Sequence, residues 1–144
     1  MLSKNEWDPL KSVIVGIADD AKIPGPNIGI RTINYAHMTF SEYLTVKHGI
    51  YPEQVINEAN EDLEILADTL TKLKIAVYRP KDLDFVKLGG MYNYCPRDRL
   101  IIAGKTVIVP NMMYPCRNME EVALSAVLDA AEHYIYMPRD QGMI

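Results

Sequence analysis

The chain has 144 residues, 49% of them hydrophobic and 24% charged, with a formal net charge of −4. This length supports one domain, or two small modules sharing a core, that buries about 68–70% of its unfolded surface without staples. The 15 Lys and Arg residues are scattered and form no basic stripe, which argues against a nucleic-acid or anionic-membrane partner.

In chain order, Trp7-Asp8-Pro9-Leu10 reads as a turn and delivers Ser12 to Ile17, a branched apolar run suited to a strand covered on both faces. From Ala18 to Tyr51 periodicity is weak. Pro24-Gly25-Pro26-Asn27 is a loop, Thr39 to His48 has room for one or two helical turns, and the whole stretch reads as a lid or binding loop. Pro52 to Lys74 is the surest helix, with Ile56, Ala59, Leu63, Leu66, Leu70 and Leu73 on one stripe. Its acidic run, Glu58, Glu61, Asp62, Glu64 and Asp68, reads as a solvated face.

Ile75 to Tyr78 is the next strand, stopped by Pro80. Gly89-Gly90 opens a second unit, in which Leu100 to Ala103 and Thr106 to Val109 form a hairpin about Gly104-Lys105. Asn118 with Glu121 spells a capping box. It predicts a helix that turns Met119, Val122, Ala123, Ala126, Val127 and Ala130 to the core, followed by the strand Tyr134 to Tyr136. The expected class is α/β, in two modules: residues 1–84, with the long loop 18–51, and residues 85–144, a ββαβ unit. Together they make one compact domain.

One spelling occurs three times: Tyr78-Arg79-Pro80-Lys81-Asp82, Tyr94-Cys95-Pro96-Arg97-Asp98 and Tyr136-Met137-Pro138-Arg139-Asp140. Proline ends ladder pairing, so each copy marks a strand end. Asp82 and Asp140 keep that structural reading, while Asp98 is the candidate functional residue. Cys95 and Cys116 are 21 residues apart and outside any CxxC, and His37, His48 and His133 have no ligand spacing. No metal or other cofactor is expected, and a reduced, cytoplasmic protein is the default. The N-terminus has no apolar signal core, and no run approaches 18 apolar residues.

Several motifs share a resemblance. Asn5-Glu6-Trp7-Asp8-Pro9-Leu10 with Val13 to Gly16, then Tyr78-Arg79-Pro80, then Pro96-Arg97-Asp98-x-Leu100-Ile101, resemble in order and spacing the arginine:glycine and inosamine-phosphate amidinotransferase family. The resemblance implies the pentein fold, five ββαβ blades about a pseudo-fivefold axis, of which this chain would hold about two, the N-terminal portion. It implies transfer of the amidino group of arginine to an amine such as glycine, through a covalent cysteine intermediate. Asp98 matches the carboxylate that holds the substrate's guanidino group, a pairing with a chemical basis in N–H donation to carboxylate. Arg97 is a weaker candidate, more naturally a partner to a nearby carboxylate.

The family's catalytic aspartate, histidine and cysteine lie in later blades, beyond Ile144. No catalytic residue is therefore assigned here, Cys95 reads as a small buried residue beside Asp98, and the chain alone is expected to be inactive. Arginine or another guanidino compound would bind weakly. Alternatives are a non-catalytic module that self-associates, and one chain of a split enzyme. Open sheet edges point to a homo-oligomer or to a partner chain carrying the missing blades.

Overall fold

The computed structural model describes residues 3–5 and 7–138. Its longest element is the helix α3, Glu53–Lys72, close to the span that the apolar periodicity predicts. Two short helices precede it, α1 (Ile28–Asn34) and α2 (Phe40–Tyr43), and two follow it, α4 (Phe85–Leu88) and α5 (Ser125–Asp129). The strands are β1 (Ser12–Ile14), β2 (Lys22–Ile23), β3 (Gly49–Ile50), β4 (Ala76–Tyr78), β5 (Ile101–Ala103), β6 (Thr106–Val109) and β7 (His133–Tyr136). They form three small sheets among the described residues: β1 with β4 in parallel, β2 with β3 antiparallel, and β5-β6-β7, where β5–β6 is the antiparallel hairpin and β6–β7 is parallel.

The hairpin turns where expected, with Gly104 at φ +59, a conformation costly for residues with a Cβ. Behind it lies the core. Leu100, Val107, Val109, Leu124, Val127 and Leu128 are buried together, and Ile14 of β1, Tyr78 of β4, Ile102 and Ala131 pack against them. The β1–β4 pair and the three-stranded sheet thus share one apolar interior. Backbone bonds join the halves as well, from Ile17 N–H to Asn93 C=O (3.2 Å) and from Lys81 N–H to Ala123 C=O (2.8 Å). Gly16 makes the first join possible, since a Cβ there would lie 2.4 Å from the Asn93 carbonyl oxygen and 2.5 Å from Tyr94 Cα.

The stretch from Ala18 to Tyr51, expected as a lid or binding loop with room for helical turns between Thr39 and His48, holds α2 there and is organised around Tyr43, which is 1% exposed. Its hydroxyl accepts from Asn27 N–H and donates to Asn27 C=O. The Asn27 side chain in turn caps α1, while Thr39 and Glu42 form a capping box on α2. The loop reading of Asn27 missed its role as a cap because α1 is short and its apolar residues stay largely outside, with Ile28 and Ile33 exposed.

The predicted helix after Asn118 needs a larger correction. Residues Pro115–Arg117 and Glu120–Leu124 are 3₁₀ turns, and only Ser125–Asp129 is α-helical. Asn118 ends the first turn instead of capping a helix, and its N–H donates to Pro115 C=O. The inward face carries Glu120, Glu121, Ala123, Leu124, Val127 and Leu128, whereas Met119, Val122, Ala126 and Ala130 are exposed. Glu121, expected as the capping-box partner of Asn118, points into the protein with Glu120, where the buried Arg99 and Arg117 meet them.

On α3 the predicted stripe is only partly covered. Ala67 is buried and Ile56, Ala59, Leu63 and Leu70 are half-buried, but Leu66 and Leu73 are exposed, as is Ile65. Tyr134, Ile135 and Tyr136 on the sheet edge β7 are exposed too. No helix of the described residues is long and apolar enough to cross a membrane.

Candidate functional site

The site is built on the segment from Met91 to Asp98. Lys22 N–H donates to Met91 C=O (2.8 Å) and Ile17 N–H to Asn93 C=O, so the segment is held against the first half of the chain. Side chains alternate along it. Asn93 is buried, whereas Tyr92 and Tyr94 stack with ring centroids 4.1 Å apart and planes inclined by 20°. Burial pushes both phenols above their usual pKa. Tyr94 also walls an apolar groove of about 230 Å³, shared with Ala18, Ala21, Tyr51, Val55, Ile56 and Ala59. Pro96 then starts a 3₁₀ turn, Pro96–Asp98, which lifts Asp98 to the surface and drops Arg99 into the interior.

Facing this turn is another, Pro115–Arg117, which aims Arg117 inward. The Arg117 side chain is 4% exposed. Its Nη1 donates to Asp98 Oδ2 at 2.8 Å and its Nε to Glu120 Oε2 at 2.7 Å, and its guanidinium carbon sits 4.5 Å from the Tyr92 ring centroid. Glu120, fully buried, also accepts on Oε1 from the backbone N–H groups of Met91 (3.0 Å) and Tyr92 (3.2 Å). A chain of bonds therefore runs from backbone through Glu120 and Arg117 to Asp98. Burial pushes the Glu120 carboxyl up, against the pull of Arg117 and the two amides. Arg117 resists its own burial, because Glu120 and Asp98 hold its pKa above the usual value.

Arg99, 2% exposed, makes a parallel pair with Glu121 and donates from Nη1 to Pro110 C=O. The arginines that meet carboxylates around this turn are thus Arg117 and Arg99. Arg97 is exposed and has no hydrogen-bond or ion-pair partner among the described residues. Sequence reasoning missed Arg117 and Glu120. The available signal was the Arg-x-x-Glu spacing of Arg117 and Glu120, which lets the two side chains meet across one turn.

Cys95 is exposed and not buried as expected, since the 3₁₀ turn carries it outward with Asp98; Cys116 is half-buried. Burial pushes both thiols up, with the Asp98 carboxylate adding to the effect at Cys95 and Glu120 at Cys116. Raised thiols hold less thiolate, the reactive form. At pH 7, iodoacetamide should therefore alkylate both cysteines more slowly than a small thiol of ordinary pKa, about 8.5. Timed mass spectrometry checks this, and faster modification of either cysteine would contradict it. Asp82 is exposed, in keeping with its structural reading, and Asp140 lies outside the described residues.

No family model matches the sequence. Individual proteins do. The chain is 36% identical over 132 residues to inosamine-phosphate amidinotransferase 1 of Streptomyces glaucescens, a match covering 86% of this chain and 38% of that protein. It is 30% identical over 129 residues to the mitochondrial glycine amidinotransferase of Xenopus tropicalis, covering 82% of this chain and 30% of that one. Its fold superposes on a solved inosamine-phosphate amidinotransferase from Streptomyces griseus with a TM-score of 0.87 and 32% identity, over 97% of this chain and 43% of the other. The chain spans less than half the length of each of these relatives. It is a homologue of the inosamine-phosphate and glycine amidinotransferases and corresponds to an N-terminal portion of them.

Proposed function

We propose that this chain is the guanidino-binding part of an amidinotransferase-type enzyme of the pentein fold, with Asp98 taking the guanidino group of arginine. The observation that carries this reading is the charge balance of the bonded cluster. Asp98, Arg117 and Glu120 hold two carboxylates and one guanidinium, with the cation and one acid buried and Asp98 at the surface. The cluster is one positive charge short at its exposed end, which suits an incoming guanidinium.

Neither cysteine of this chain is the nucleophile in this reading, because both thiols are raised and lack thiolate character. The nucleophile and its base come from elsewhere in the assembled enzyme, and these 144 residues alone transfer no amidino group. An exposed ion pair is worth about 0–1 kcal/mol. Millimolar affinity takes about 4 kcal/mol. Arginine should therefore bind the isolated chain more weakly than millimolar, and Asp98→Asn should remove what binding there is. NMR titration with arginine, against sodium chloride at matched ionic strength, measures both; an equal response in wild type and Asp98→Asn would sink the assignment.

A second reading has its own support. Exposed Ile65 and Leu66 on α3, Leu73 just after its end, and exposed Tyr134 to Tyr136 on an open sheet edge favour association, with a second copy or with a chain bearing further blades. A solution mass of 16.3 kDa at micromolar concentration would count against self-association.

A further inference from the structure

The bond chain that ends on Asp98 does more than neutralise charge. Arg117 is a rigid planar fork seated on Tyr92 and gripped at Nε by Glu120, which is itself fixed by two backbone amides. With that end immobile, the position of Nη1 is set, and so is the Asp98 oxygen it holds, Oδ2 at 2.8 Å. Asp98 Oδ1 has no protein partner among the described residues, and the side chain keeps 39% of its surface exposed.

We infer that Arg117 is the positioning residue of this site: it commits Oδ2 of Asp98 and leaves Oδ1 as the oxygen that meets a guanidino N–H. The inference rests on the reading of Asp98 as the guanidino-binding carboxylate. It adds that correct aim, and not charge alone, makes Asp98 a binding group. A lysine at 117 would keep the positive charge, but a single ammonium on a flexible stem cannot span Glu120 and Asp98 at fixed angles. Lengthening the acid by one methylene, as in Asp98→Glu, keeps the negative charge and displaces the oxygen. It alters an exposed residue and so spares the fold.

The test has two arms, run on the intact chain with thermal melts as a folding check. In the unliganded arm, the Arg117 Nε–H resonance is compared between wild type and Asp98→Asn; it should shift, and an unmoved resonance overturns the inference whatever ligands do. In the liganded arm, arginine and guanidinium chloride are titrated against sodium chloride, with the Met91 and Tyr92 amides as reporters. Arg117→Lys and Asp98→Glu should each respond more weakly than wild type, by up to about fivefold, which is the full worth of an exposed ion pair. A wild-type response in either folded variant overturns the positioning role while leaving Asp98 as the binding group. An absent wild-type response to arginine sinks the functional reading instead, and the inference is then decided by the Nε–H shift alone.

Discussion

Glu120→Ala should destabilise the chain by about 3–5 kcal/mol, the cost of leaving a buried charge without its partner. Three donors lose their acceptor at once: Arg117 Nε and the backbone N–H groups of Met91 and Tyr92. Arg117 Nη2 is already buried without a partner, so the arginine has no spare bond to fall back on. Asp98 retains Nη1, but it is exposed, and a single partly hydrated contact does not replace a buried carboxylate. Natural domains have only about 5–15 kcal/mol to lose. With urea slopes of about 1–3 kcal/mol per molar, the midpoint should fall by roughly 1–5 M. Removing both charges in Glu120→Leu/Arg117→Met should recover part of the loss, although the two amides stay unpaired. A midpoint within experimental error of wild type for Glu120→Ala would show that water reaches this cluster and that it is not the buried anchor described above.

Leu124→Ala should cost about 2–5 kcal/mol, because the site is fully enclosed and cannot collapse around the missing carbons. Leu124 is 0% exposed and sits among Leu100, Val107, Val109, Val127 and Leu128, where sheet, 3₁₀ turn and α5 meet. Leu73→Ala is the matched control. The same atoms are removed from a residue 66% exposed, and the change should stay within about 0.5 kcal/mol. Equal losses in the two variants, measured by urea denaturation, would mean that Leu73 is covered in solution by a second copy, and the concentration dependence of the melt would then reveal it.

The elements legible in the sequence were those whose own residues determine them. The periodic stripe of α3 and the glycine turn of the β5–β6 hairpin need no distant partner, and both fall where expected. In the segment from Asn118 to Ala130 the expected inward residues Ala123 and Val127 are buried, but Met119, Val122, Ala126 and Ala130 are not. Here two adjacent glutamates are drawn inward by Arg117 and Arg99, residues whose burial no local pattern announces. Within residues 18–51 the helical turn expected between Thr39 and His48 is present as α2, but the course of the rest was illegible for a related reason. It depends on one tyrosine hydroxyl and its bonds to Asn27, a contact 16 residues long in sequence. Asp98 stood out through a repeated motif and a family resemblance, whereas the frame that holds it comes from 19 and 22 residues further on.

The parallel pairing of β1 with β4 also sets an order of events during synthesis. Ser12 pairs with Ala76, 64 residues later, so β1 leaves the ribosome well before its partner exists. At about 5–20 residues per second, Val13 and Ile14 wait roughly 3–13 seconds for that partner. Over the same interval α3 can coil from local contacts alone, ahead of the sheet it will cover. Until Ala76 to Tyr78 are made, the apolar residues of β1 have no sheet partner on that side.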